Sequence, residues 1–191
     1  MHGDVCEIIP GFFIGSAADA EEMVRRGVDV IVQLAWEDES IREAGFRGLL
    51  HFAYIEDGGI ITDSELYRLV EEICGQLNRG RKVGMYCAGG HGRTGYVAAC
   101  VLAEKGIRDP IGYLRSHYSP KAVETEVQAA AVFRYVKMTR ELEGLIADEI
   151  GTDGGRGFCT LYWLTKKRIL KERYGIDWKS PADIYKGVIF D

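Results

Sequence analysis

Side-chain amides are almost absent from this sequence. One asparagine, Asn78, and three glutamines, Gln33, Gln76 and Gln128, are all that 191 residues hold. Thermolabile amides are depleted in proteins from hot environments, so a thermophilic source is expected. No Cys-x-x-Cys pair occurs, and Cys6, Cys74, Cys87, Cys100 and Cys159 form an odd, scattered set. That excludes a regular disulfide framework, and the four histidines show no metal-ligand spacing. A reducing cytoplasm is the expected location, with no metal and no cofactor. No apolar run is long enough to span a bilayer, so no membrane partner is expected. The opening "MHGDVCEIIPGFFIGS" has no basic region, long apolar core or cleavage site, and is not expected to be a signal peptide. The net charge of −5 gives no basic excess, so nucleic acid is not an expected partner.

What is present is an ordinary globular composition, 47% hydrophobic and 28% charged, which allows a real core. "VCEIIPGFFIGS" predicts two short strands turning at Pro10-Gly11, and "SAADAEEMVRRG" a helix that stops at Gly27. "VDVIVQLA", "LLHFAYI" and "KVGMYC" predict strands, the first buried on both faces. Between the last two, Leu66, Leu69, Val70, Ile73 and Leu77 mark one face of a helix capped by Thr62 or Asp63. Helices follow at "TGYVAACVLAEKG" and "DPIGYLRSHY", then one long helix is expected from "AVETEVQ" to "DEI". The expected class is α/β, with a mainly parallel central sheet flanked by helices. The glycine-rich "GTDGGRG" suggests a boundary. Residues 1–150 are expected to form the catalytic domain. Residues 151–191 are expected to form a C-terminal helical extension packed on it, too rich in aromatics for a solvated tail. The basic residues of "FCTLYWLTKKRILKERYG" allow a second reading, a cationic wall that selects an anionic substrate.

The stretch "KVGMYCAGGHGRTGYVAAC" carries the chemistry. A strand ends at Cys87, three glycines follow within five positions, and a helix begins near Arg93. Amides at a helix start point outward and carry partial positive charge. Gly89, Gly90 and Gly92 let those amides fold into an anion-binding nest, and Arg93 adds a planar fork suited to phosphate. A thiol on the floor of such a nest ionises more readily and becomes a nucleophile aimed at phosphorus. Asp57, followed by Gly58-Gly59, stands at the end of a strand, where α/β sites form. It is the favoured general acid, with Glu56 and Asp63 as alternatives.

"CAGGHGRTG" resembles the phosphate loop of cysteine-dependent protein tyrosine phosphatases. The dual-specificity branch, including compact archaeal and bacterial tyrosine phosphatases, is the nearest. "IIPGFFIGSAADA", "HFAYIEDGGI" and "KAVETEVQAAAVF" are similar to other segments of that branch, so the resemblance runs from about residue 5 to about residue 137. It implies hydrolysis of phosphate monoesters, first of all phosphotyrosine in proteins and also phosphoserine or phosphothreonine, by a monomer acting on phosphorylated protein or peptide. It further implies that Cys87 forms a phosphocysteine and that Ala88, Gly89, Gly90, His91, Gly92 and Arg93 bind the phosphate. Thr94 would assist the departing sulfur, Asp57 would exchange protons with leaving group and water, and Gln128 would position that water. Where this family usually has histidine before the nucleophile, Tyr86 stands here. The same chemistry on a lipid, inositol or RNA 5′-phosphate is the alternative, and a catalytically silent phosphate-binding module is a further one.

Overall fold

The computed structural model describes residues 5–152 and 157–184. Five short strands make one sheet: β1 (Cys6–Ile9), β2 (Phe12–Ser16), β3 (Val30–Gln33), β4 (Leu49–Phe52) and β5 (Val83–Cys87), in the order β1-β2-β5-β3-β4. Only the β1–β2 hairpin is antiparallel, and it turns at Pro10-Gly11 with Gly11 at φ 79°. β2, β5, β3 and β4 run parallel, so their C-terminal ends share one edge, where α/β folds build their sites. The central strand β5 is buried at every residue, as its run of apolar and small side chains requires.

Helix α1 (Ala20–Arg25) covers one face of the sheet, and α2 (Asp63–Asn78) and α3 (Gly92–Glu104) cover the other. Gly84 makes the first contact possible, because a Cβ there would lie 2.9 Å from Met23 Sδ. Thr62 caps α2 in a reciprocal box with Glu65, an arrangement worth about 1 kcal/mol. In α3 every residue from Gly92 to Leu102 is buried. A helix apolar all round is a core helix. The loop that starts it therefore rests on a rigid element. α4 (Pro110–His117) begins with Asp109 as cap and Pro110 at the first helical position, as its sequence predicts.

The long helix α5 spans Glu126–Ile150, four residues shorter at its start than "AVETEVQ" suggests. Thr125 Oγ1 accepts from Gln128 N at 3.2 Å, while Gln128 Oε1 accepts from Thr125 N at 3.3 Å and Glu124 N at 3.1 Å. This is a capping box, Thr-x-x-Gln, and it frees residues 122–125 to follow a non-helical path.

The compact units divide at Arg134/Tyr135, inside α5, rather than at the glycine-rich linker, of which residues 153–156 lie outside the described residues. Within the second unit, α6 (Phe158–Tyr174) and the short α7 (Pro181–Ile184) follow the end of α5. The buried face of α6 is Thr165, Lys166, Ile169 and Leu170, whereas Leu161 and Leu164 are exposed. Lys166 takes that place because its stem is apolar and its ammonium lies 4.9 Å from the Trp178 ring centroid. Three of the other basic residues of α6 find acids within the unit. Lys167 pairs with Asp183 at 2.7 Å, Lys171 with Asp177 at 2.7 Å, and Arg168 with Glu149 and Glu172. Among the described residues no helix is long and apolar enough to cross a membrane.

Candidate active site

The parallel register aligns Ser16 with Cys87, and Gln33 with Tyr86, at the C-terminal edge of the sheet. From there the chain makes a tight loop, Cys87 to Gly92, into α3. Its carbonyls are turned outward and held. Ala88 O accepts from Ala17 N at 3.3 Å, Gly90 O from Tyr118 Oη at 3.0 Å, and His91 O from Val123 N at 3.2 Å. The amides of Gly89, His91 and Gly92 find no protein acceptor among the described residues. Gly90 N donates to Cys87 Sγ at 3.3 Å, so the buried thiol already sits in a ring of donors. Gly90 must be glycine on two counts: its φ is 80°, and a Cβ would lie 2.6 Å from Tyr118 Oη and 2.8 Å from Gly15 C.

Arg93 is buried beneath this loop. Nη1 donates to Ile55 O at 3.3 Å, Nη2 meets Asp57 Oδ1 at 2.9 Å, and Nε has no partner among the described residues. Thr94 Oγ1 and His91 Nδ1 are likewise buried without partners among them. Buried donors left unmade are costly, and three of them cluster in one loop with free amides. An oxyanion seated in the loop satisfies such a set, which gives the arrangement its chemical meaning.

The Asp57 carboxylate is exposed apart from its contact with Arg93, yet the loop that carries it is sewn to the start of α5. Thr125 Oγ1 donates to Gly58 O at 3.0 Å and Gln128 Nε2 donates to Gly59 O at 3.2 Å. Both lone pairs of the Gln128 carbonyl are engaged by Glu124 N and Thr125 N. The same turn braces the Cys87–Gly92 loop from outside. Val123 adopts φ 61°, unusual for a β-branched residue, and Arg115 holds the carbonyls of Ala122 and Val123, each at 3.1 Å. Glu124 reaches over Gly92, where a Cβ would lie 2.5 Å from its Oε2.

Tyr86 points away from Cys87 by the alternation of the strand. Its hydroxyl accepts from Gln33 Nε2 at 2.8 Å, and Gln33 also bonds the backbone of Asp38 through both ends of its amide. Burial raises the phenol pKa, so Tyr86 stays neutral. One of the chain's four amides is spent on tying β5 to the loop after β3.

The family PTP-SAK, described as "Swiss Army Knife protein, DSP-PTPase phosphatase domain", matches residues 15–142, about two thirds of the chain. The chain belongs to this family. The matched span is a phosphatase domain of the DSP-PTPase kind by that description, and it holds every element described at the site. Uncharacterized protein MJ0215 of Methanocaldococcus jannaschii is 42% identical over 86 residues, which are 45% of this chain and 54% of that protein. The chain thus spans about half the length of the curated relatives it matches. Among solved structures, Tk-PTP in its active form is similar with a TM-score of 0.61 and 22% identity, covering 70% of this chain and 96% of that one. PTPMT1 in complex with PI(5)P is similar with a TM-score of 0.59 and 14% identity, covering 72% of this chain and 97% of that one. At these identities the likeness of the structures is one of fold.

Cys87 and the loop 88–92 lead into Arg93, which meets Asp57; Thr94 follows Arg93 in α3, and Gln128 is tied to the loop that carries Asp57. Of the alternatives to Asp57, Asp63 faces Arg134 at 3.5 Å instead. Sequence reasoning overlooked Thr125 and Arg115 and read Tyr118 as helix packing alone, whereas these three hold the loops in place. The Thr125-x-x-Gln128 capping signature could have found the first.

Proposed function

We propose that this phosphatase hydrolyses phosphotyrosine in proteins, with phosphoserine and phosphothreonine as further substrates, through a phosphocysteine intermediate. The observation that carries the reading is the set of unpartnered donors, Arg93 Nε with the free amides of Gly89, His91 and Gly92, around the Cys87 sulfur. In the first step the Cys87 thiolate attacks phosphorus and the bond from phosphorus to the ester oxygen breaks. That oxygen takes a proton from Asp57. In the second step water attacks phosphorus, gives its proton to the Asp57 carboxylate, and the phosphorus–sulfur bond breaks. The Thr94 hydroxyl, buried beside the loop and free to turn, donates to the departing sulfur. Arg93 and the amides stabilise the charge on the equatorial oxygens through both steps.

Gln128 acts here as a positioning residue for the acid loop. Replacing it tests that role. Gln128→Glu keeps acceptors for Glu124 N and Thr125 N but cannot donate to Gly59 O. The expected result is a kcat about tenfold lower with the inorganic phosphate affinity kept, since one half-buried acceptor loses its donor. An unchanged kcat would remove Gln128 from this role.

The reading as a whole is tested by turnover of p-nitrophenyl phosphate in the presence of chelator, followed by a panel of phosphopeptides. Absence of turnover by the purified chain would refute it. The fold shared with PTPMT1 in complex with PI(5)P keeps the same chemistry on a lipid or inositol phosphate as the competing reading.

A further inference from the structure

The mouth of the site carries charge of the wrong sign for an anion. Leu34 N donates to Tyr86 O at 3.0 Å, and Ile55 N donates to Leu34 O at 3.0 Å. The chain after β3 and the chain after β4 therefore leave the sheet side by side, at the level of Cys87. The first presents the exposed Glu37, while the Asp38 carboxylate turns back to Ser40 N and Oγ; the second presents Glu56 and Asp57, whose carboxylate meets Arg93. Glu37 and Glu56 are exposed and have no ion-pair partner among the described residues. Acids elsewhere in this unit, such as Glu22 and Asp63, face arginines. On the third side lies Glu124, close against Gly92. The arginines behind these loops are turned to backbone. Arg42 donates to Gly48 O at 2.7 Å, and Arg115 to Ala122 O and Val123 O.

An unpaired acidic rim lowers the local concentration of a bare phosphodianion and lowers that of a polyanion further. It is matched by a phosphate monoester that brings positive charge with it. From the rim we infer a substrate class, resting on the phosphatase reading above: phosphotyrosine set in a Lys/Arg-rich stretch of polypeptide. Glu37 and Glu56 pair with the flanking basic side chains. Lipid headgroups bearing several phosphates are selected against.

The experiment compares kcat/KM for two phosphotyrosine peptides, one flanked by lysines and one by glutamates, beside a soluble inositol polyphosphate and p-nitrophenyl phosphate. The lysine peptide is expected to be preferred roughly tenfold at low salt, because exposed pairs contribute modestly and additively. The preference should shrink as salt rises and the screening length falls toward ~8 Å. In the double variant Glu37→Lys, Glu56→Lys it should disappear or invert. Equal or better turnover of the glutamate peptide, or preference for the inositol polyphosphate, overturns the inference while p-nitrophenyl phosphate turnover still upholds the phosphatase. Binding of the same peptides to Cys87→Ser reads the rim apart from chemistry. Tighter binding of the lysine peptide is expected there, and the reverse order overturns the inference even where no turnover is seen.

Discussion

Cys87→Ser is expected to lower turnover of p-nitrophenyl phosphate by roughly 10⁴-fold or more while leaving the loop able to bind an oxyanion. The two halves of that expectation rest on different atoms. Turnover needs the sulfur as nucleophile, and a serine hydroxyl is a far weaker one. Binding needs the outward carbonyls of Ala88, Gly90 and His91, the amides between them, and Arg93, and none of these involves the sulfur. The single bond to Sγ, from Gly90 N, can be accepted by a hydroxyl oxygen. Affinity for the oxyanion should therefore hold. Calorimetry with inorganic phosphate measures the second half, and a chromogenic assay the first. Residual turnover within about 10²-fold of wild type would exclude Cys87 as nucleophile. Loss of both activity and phosphate affinity would mean that the sulfur holds the loop together.

The strand, loop and helix from Val83 to Glu104 are legible in the sequence because each part announces itself locally. An apolar run ends at a cysteine, glycines supply the turn, and α3 is apolar all round. The order of the sheet is not local in that way. It depends on which strands find each other, and only the alternation of strands and helices hints that they run parallel. Asp57 is legible as the end of a strand with glycines behind it, but its contact with Arg93 is a fact of tertiary packing. The brace at residues 119–125 is the least legible part. Its work is done by a strained Val123, by Arg115 reaching back to two carbonyls, and by a glycine at 95 whose Cβ would lie 2.7 Å from Val123 N. Nothing in composition or period marks such contacts, since each joins residues distant in the chain or breaks a local preference. Lys166 misleads for a related reason: a charged residue can fill an apolar face when its stem packs and its ammonium finds an aromatic ring.

Asp57→Asn separates the acid from the rest of the site. The pair with Arg93 is solvent-exposed on the aspartate side, at 89% exposure, so its loss should cost at most about 1 kcal/mol of stability. The asparagine keeps the size of the side chain and can face the same guanidinium through its carbonyl oxygen. What it cannot do is give up a proton. General acids contribute about 10²–10⁴ in rate, and the leaving group decides how much of that is used. An alkyl alcohol leaves poorly as an alkoxide, so alkyl phosphates and phosphoserine peptides should lose most of that range. p-Nitrophenolate leaves unaided and should lose far less. The ratio of aryl to alkyl turnover is therefore the measurement, and it should rise in the variant. The neighbouring carboxylates supply the control. Glu56 is exposed without a partner among the described residues, and Asp63 faces Arg134 at the start of α2. A normal Asp57→Asn beside a crippled Glu56→Gln or Asp63→Asn would move the acid to that residue. It would leave the Asp57–Arg93 contact as a hold on the loop alone.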